Sequence, residues 1–226
     1  MIAFQGVCKA YSNSEALEDI TFKINPNEFV ALAGKSGAGK STLIKLMIGE
    51  EKPTKGRVVV GSYEVNKLKD YQLPYLRRHI GIVFQDFRLL PSKNAFENVA
   101  FALEVAGYNQ AYINEIVPQV LDMVGLSDKA HNFPQELSGG EKQRVAIARA
   151  IVGKPEVVIA DEPTGNLDPI NTWEIIKLLQ KINEMGTTII LATHDKEIIN
   201  KLEKRVITLD NGRLLRDEEK GKYLLV

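Results

Sequence analysis

The segment GKSGAGKST at 34–42 has the residue types and spacing needed to wrap a phosphate group. Gly34, Gly37 and Gly39 free the backbone to turn its N–H groups inward around anionic oxygens, and the helix that follows adds a favourable dipole at its N-terminus. The segment fits G-x-x-x-x-G-K-[ST], so Lys35, Ser36, Ala38 and Thr42 join the glycines as candidate phosphate contacts. Lys40 is placed to reach β and γ phosphates, and the Ser41 hydroxyl to ligate Mg²⁺. A glycine-rich turn can match such a pattern by chance. Here EFVALAG (28–34) reads as a strand running into the loop, and a helix from about Lys40 to Ile48 follows it, which is the context the mechanism requires. The chemistry implied is that of a nucleoside triphosphate.

Two further stretches complete a hydrolytic set. VVIADEP (157–163) is a buried strand ending in adjacent carboxylates. Asp161 can orient Mg²⁺, directly or through water, and Glu162 can polarise the attacking water as general base. Alone, Asp-Glu at a strand end is as easily a solvated turn; the upstream phosphate loop decides between the two. LSGGEKQRVAIARA (137–150) begins with Ser138 and Glu141 at capping-box spacing before an apolar helix. That box explains Ser138 and Glu141 but not Gly139 and Gly140. Two glycines in a first turn cost up to about 1 kcal/mol each, yet they bare N–H groups to an anion. This is a second phosphate-binding helix terminus, and one triphosphate can use both only if the two termini face each other.

The elements that must position these residues read as an α/β protein with a mostly parallel core sheet. IGIVF (80–84), VVIA (157–160), TIILAT (188–193) and RVITL (205–209) are strand candidates beside EFVALAG. TKGRVVVGSYEV (54–65) predicts an antiparallel hairpin, and DNGRLL carries an Asn-Gly turn signal. From Asp86 to about Val152 the strand signal disappears. Ile113, Ile116, Val117, Val120, Leu121 and Val124 recur at helical spacing, with Pro118 on the other face as an expected kink, and a second helix spans about 138–152. The expected organisation is one domain over 1–226: a RecA-like core with an antiparallel β subdomain from 1–85 and 153–226, and an inserted helical subdomain at 86–152.

Lys plus Arg (29) equals Asp plus Glu (29), which leaves no electrostatic case for nucleic acid or for anionic lipid bound by charge. The single cysteine, Cys8, excludes an internal disulfide and a Cys-based zinc cluster. No apolar run approaches the roughly 18–20 residues that cross a bilayer, and MIAFQGVCKAY lacks the pattern of a signal peptide. The expectation is a cytoplasmic chain whose membrane role comes through a partner, and whose end, about 15 residues past RVITL, leaves no room for an appended regulatory domain.

The phosphate loop, Gln85 closing a strand, LSGGE, VVIADE, GNLD (165–168) and an isolated His194 occur in the order of the ATP-binding cassette (ABC) ATPases, and the chain resembles that family over nearly its whole length. The resemblance implies a head-to-tail homodimer sandwiching two ATP molecules. Ser138, Gly139 and Gly140 would bind the γ-phosphate held by the partner subunit's loop, with Asn166 and Asp168 in a loop crossing the interface. His194 would contact the γ-phosphate and hold Glu162 and the water. Gln85 would act as a switch ligating Mg²⁺ or the water, and Tyr11 would stack on adenine. His79 and His131 match nothing and read as surface residues.

PTGNLD and the single-cassette length resemble the group that includes lipoprotein-release, macrolide-efflux and cell-division ATPases, with QDFRLL favouring the last. That likeness implies a four-span membrane partner and a motor that transmits motion to cell-wall hydrolases. An exporter or lipoprotein-extraction ATPase is the alternative, and an ATP-gated structural adaptor a third, which intact Glu162 and His194 argue against. Phe87, Leu89 and Leu90 after Gln85 are expected to form a groove for the partner's cytoplasmic helix, with packing of the inserted helices onto the core as the competing account.

Overall fold

The computed structural model describes residues 1–12 and 14–221. In chain order the first elements are β1 (Ile2–Tyr11), β2 (Ser14–Ile24), β3 (Phe29–Ala33), α1 (Lys40–Met47), β4 (Lys55–Val60), β5 (Tyr63–Glu64), α2 (Leu73–Arg78) and β6 (Ile80–Phe84). They are followed by α3 (Ala95–Ala106), α4 (Gln110–Met123), α5 (Gly139–Ile151), β7 (Val157–Asp161), α6 (Pro169–Glu184), β8 (Thr188–Thr193), α7 (Lys196–Leu202), β9 (Arg205–Asp210) and β10 (Arg213–Glu218). The chain forms two compact units, Met1–Arg77 with Thr188–Val226, and Arg78–Thr187.

In the first unit, β3 is buried along its whole length and runs parallel to β8 and β9, with β10 antiparallel at the edge. Strands covered on both faces need continuous apolar sequence, which is why FVALA and TIILAT carry no polar alternation. Ile199 of α7 packs with Ala31, Ala33 and Val206 on one face of this sheet. The other sheet runs in the order β2-β1-β4-β5, all antiparallel. Phe4 and Phe22, opposite each other in its register, stack at 4.7 Å. The expected hairpin at 54–65 is β4 with β5, and β4 also pairs with β1.

In the second unit, β6 and β7 lie parallel, in register from Ile80↔Val157 to Phe84↔Asp161. Helices α3, α4, α5 and α6 belong to the same unit. Pro118 lies inside α4, which continues through it. A Cβ on Gly81 would fall 2.3 Å from the Ala150 carbonyl oxygen, so glycine is what lets the end of α5 lie directly against β6. No helix among the described residues is long and apolar enough to cross a membrane.

Candidate functional site

The phosphate loop follows from the end of β3. Gly34, Gly37 and Gly39 take φ of 156°, 82° and 106°, and the loop closes on α1 with Gly39 at its N-cap. A Cβ on Gly39 would meet Leu17 Cδ2 at 2.7 Å and the Ala16 carbonyl oxygen at 3.1 Å, so close packing as well as φ demands glycine there. The Asn211–Gly212 turn of the β9–β10 hairpin braces the loop from behind, its Gly212 N–H donating to Ala38 O at 3.1 Å. Lys40 is buried, and its ammonium donates to the carbonyls of Gly34 (2.7 Å) and Lys35 (3.3 Å). The loop is thus already curled around a positive charge, while Lys35, Ser36, Gly37 and Ser41 remain exposed and Thr42 half-buried. This is an anion cradle with its cation in place.

His194 belongs to the same unit. In the β3–β8 register Ala33 pairs with Thr193, so Gly34 and His194 are the next residues beyond the same strand edge. Thr193 Oγ1 accepts from Asp195 N at 3.1 Å, and Asp195 caps α7, which fixes the backbone on the far side of the exposed imidazole. Tyr11 ends β1 half-buried, with the Lys9 ammonium 4.9 Å from its ring centroid. Lys9 is itself held by Glu51 at 2.7 Å.

In the second unit the parallel register does for the carboxylates what it does for His194 in the first. Phe84 opposes Asp161, so Gln85 and Glu162 emerge side by side at the carboxyl ends of β6 and β7. Ligands of open α/β sheets bind at that edge. Glu162 adopts φ 48°, as do, within ten degrees or so, Phe87 (58°) and Arg88 (47°). A left-handed non-glycine residue costs on the order of 1 kcal/mol, and three of them so near the strand ends mark a backbone held away from its preference. The Gln85 side chain lies against Gly165, where a Cβ would fall 2.7 Å from Nε2, and Asn166 Nδ2 donates to the Gln85 carbonyl at 3.0 Å.

Ser138 is the N-cap of α5, and the capping box forms: Ser138 N–H donates to Glu141 Oε2 at 2.7 Å and Glu141 N–H to Ser138 Oγ at 3.2 Å. The Ser138 N–H holds the Glu141 carboxyl below its usual range. Gly139 and Gly140 have a second reason beyond bared amides. A Cβ on Gly140 would come 2.1 Å from Asn171 Oδ1, and one on Gly139 3.3 Å from Leu167 Cδ2, so both glycines admit the segment that starts α6. Asp168 caps α6, accepting from the N–H groups of Ile170 (2.9 Å) and Asn171 (3.0 Å), and its carboxyl is lowered chiefly by the Asn171 N–H.

Sequence reasoning missed the residues that hold the segment after Gln85. Arg149 donates to the carbonyls of Phe87 (2.8 Å) and Arg88 (2.6 Å), and burial pushes its guanidinium pKa down. Asn98, fully buried on α3, accepts from Leu90 N–H at 2.7 Å and donates to the carbonyls of Leu90, Lys93 and Asn94. The only signal for either was a polar residue within an apolar helical run. Phe87, Leu89 and Leu90 are half-buried. His79 contacts Glu156 at 3.0 Å and His131 is exposed.

A divalent cation fits this donor set in one way. Among the described residues no three His, Cys, Asp or Glu side chains cluster as a metal cage. Magnesium bound with nucleotide takes few protein ligands and many phosphate and water oxygens, which in the first unit suits a single exposed hydroxyl, Ser41, at the start of α1.

The model of the family described as "ABC transporter" matches residues 17–165. The cell division ATP-binding protein FtsE of Bacillus subtilis is 54% identical over 224 residues, covering 99% of this chain and 98% of that protein. FtsE of Escherichia coli is 47% identical over 215 residues, covering 95% and 97%. Among solved structures, a dimeric ATP-binding cassette in a post-hydrolysis state bound to ADP and Pi superposes with a TM-score of 0.88 at 35% identity, covering 99% of this chain and 100% of that one. With the glycine-lined loop, the strand-end carboxylates and the doubly glycined α5 terminus on one chain, and relatives this similar along its length, the chain belongs to the ABC transporter family and is an ATPase of that family.

Proposed function

We propose that this chain is the ATP-hydrolysing cassette of an FtsE-type assembly, which dimerises head to tail on ATP and drives a polytopic membrane partner of the FtsX type to regulate cell-wall hydrolysis in division. The task is carried by one observation, the 47–54% identity to cell division ATP-binding proteins along almost the full chain. The chemistry is supported by the β6–β7 register that sets Gln85 beside Glu162. In this reading Lys40 and the amides of residues 34–42 hold the triphosphate. Ser41, Asp161 and Gln85 would hold Mg²⁺, whose chemistry there is to neutralise charge building on the phosphate oxygens. Glu162 takes the proton of the attacking water, and His194 holds water and γ-phosphate in line. Ser138, Gly139, Gly140 and Asp168 act on the nucleotide of the partner subunit, and Tyr11 stacks on the base. The 86–152 segment acts as the helical subdomain, with Phe87 and Leu89 meeting the membrane partner at the inner face of the cell membrane. Phe101 and Val105, exposed four residues apart on α3, extend the apolar surface available on that segment.

Glu162→Gln tests the reading. ATP affinity is expected to stay within about twofold while turnover falls 10²-fold or more, the range for removing a general base, and the ATP-loaded variant elutes as a dimer. Full turnover in that variant overturns the assignment. Co-purification with a membrane protein carrying a large substrate-binding extracytoplasmic domain would instead favour the exporter or lipoprotein-release alternative.

A further inference from the structure

The segment after Gln85 is held in a conformation it would not choose. Phe87 and Arg88 are consecutive left-handed residues and neither is glycine. Their carbonyls both point to one guanidinium, that of Arg149, at 2.8 and 2.6 Å. A planar fork suits two neighbouring acceptors, and an arginine taken out of water is anchored by the carbonyls it finds. Arg149 stands near the end of α5, next to Ala150, whose carbonyl lies against Gly81 of β6. The same helix therefore grips both flanks of Gln85: the strand before it by close backbone packing and the turn after it by the guanidinium. Its other end, capped by Ser138, lies 11 residues back from Arg149, roughly 16 Å at 1.5 Å per residue. Asn166, in the loop following Glu162, holds the Gln85 carbonyl.

We infer that Arg149 is a positioning residue for ATP hydrolysis, which fixes the Gln85 loop by holding its left-handed turn and ties that loop to the helix headed by Ser138. The inference rests on the role proposed for Gln85. It places no substrate contact on Arg149 itself. An event at the Ser138 terminus of α5 reaches Gln85 through a rigid helix and two hydrogen bonds, without passing through the sheet.

The test uses the full chain, with nucleotide affinity, kcat, KM for Mg·ATP and melting temperature measured for Arg149→Ala, Arg149→Lys and the double variant Arg149→Ala with Arg88→Gly. Arg149→Ala is expected to lower kcat roughly ten- to hundredfold, the loss that one or two charge-assisted hydrogen bonds correspond to, with ATP affinity within about twofold. Arg149→Lys keeps the charge and loses the fork, so it melts close to the parent protein yet retains most of the kcat defect. Glycine at 88 adopts the left-handed backbone without strain, so the double variant recovers a large part of kcat. The inference is overturned if Arg149→Lys turns over like the parent protein, if kcat falls only in step with melting temperature, or if Arg88→Gly recovers nothing. Gln85→Ala serves as the separate control. Parental turnover in Gln85→Ala overturns the role of Gln85 itself, whereas a defect there alongside normal Arg149 variants overturns only the link.

Discussion

At the scale of single residues, Gly140 shows how the lack of a side chain can satisfy two requirements that look alike in sequence. An anion-binding helix terminus wants bare amides, and a tight crossing wants no Cβ. The 2.1 Å approach to Asn171 Oδ1 says the second requirement is present whatever the first contributes. Gly140→Ala should raise helix propensity by about 1 kcal/mol but forces a methyl into a filled space, an overpacking cost of about 1–3 kcal/mol. Asn171 can yield only by giving up the hydrogen bond its amide donates to Asp168, so the packing term wins, the variant is expected to melt below the parent protein, and Asn171→Ala in the same chain to recover most of the loss. A Gly140→Ala protein as stable as its parent leaves amide exposure as the sole reason for the glycine. Arg149 belongs to the same scale. Nothing in RVAIARAIV announces that its second arginine reaches some sixty residues back to a strained turn, because a long-range hydrogen bond leaves no period in the sequence.

Elements were far more legible than contacts. Apolar runs mark β3, β6, β7, β8 and β9, since strands buried on both faces are apolar through most of their length, with polar residues mainly at the ends. The capping box placed the start of α5 at Ser138 to the residue. Register was not legible: which residue of IGIVF opposes which of VVIAD is set by tertiary packing, and yet it is register that brings Gln85 beside Glu162. The start of α6 offers a test at this scale. The Asp168 carboxylate caps two N–H groups and is held below its usual range by them. A lowered folded pKa stabilises the protein above the unfolded value, about 4, and that contribution is lost as pH falls through the lower folded value. Asp168→Ala is therefore expected to melt below the parent protein at pH 7, with the gap closing under acid conditions below about pH 4. Asp168→Asn, an equally good cap without a charge, should stay near the parent at pH 7. A gap for Asp168→Ala that stays constant from pH 7 to 3 sinks the assignment of that stability to the charged cap.

For the whole molecule, the nucleotide is a source of stability as well as a substrate. The phosphate loop is braced by three parts of its own unit at once: the Asn211–Gly212 turn through Ala38, the β2 hairpin through Leu17 against Gly39, and the Lys40 ammonium from within. A ligand held by that loop and bound by the folded state alone adds its binding free energy to the stability of the chain. At a hundred times Kd, a ligand bound only by the folded state adds about 2.7 kcal/mol. In a chain of this size 1 kcal/mol moves the midpoint by roughly 2–4 °C. Saturating ATP is thus expected to raise the melting temperature by roughly 5–10 °C, with the Glu162→Gln protein shifting at least as far because it cannot discharge its ligand. Lys40→Ala should remove most of the shift. It takes away the one cation the loop is folded around, while leaving the glycines and the Gly212 brace that shape the loop. A Lys40→Ala protein that still gains the full increment places the stabilising contacts elsewhere than in residues 34–42. Lys40→Ala also lowers the unliganded midpoint, because the carbonyls of Gly34 and Lys35 lose their buried donor, so its lost increment is read against its own unliganded midpoint.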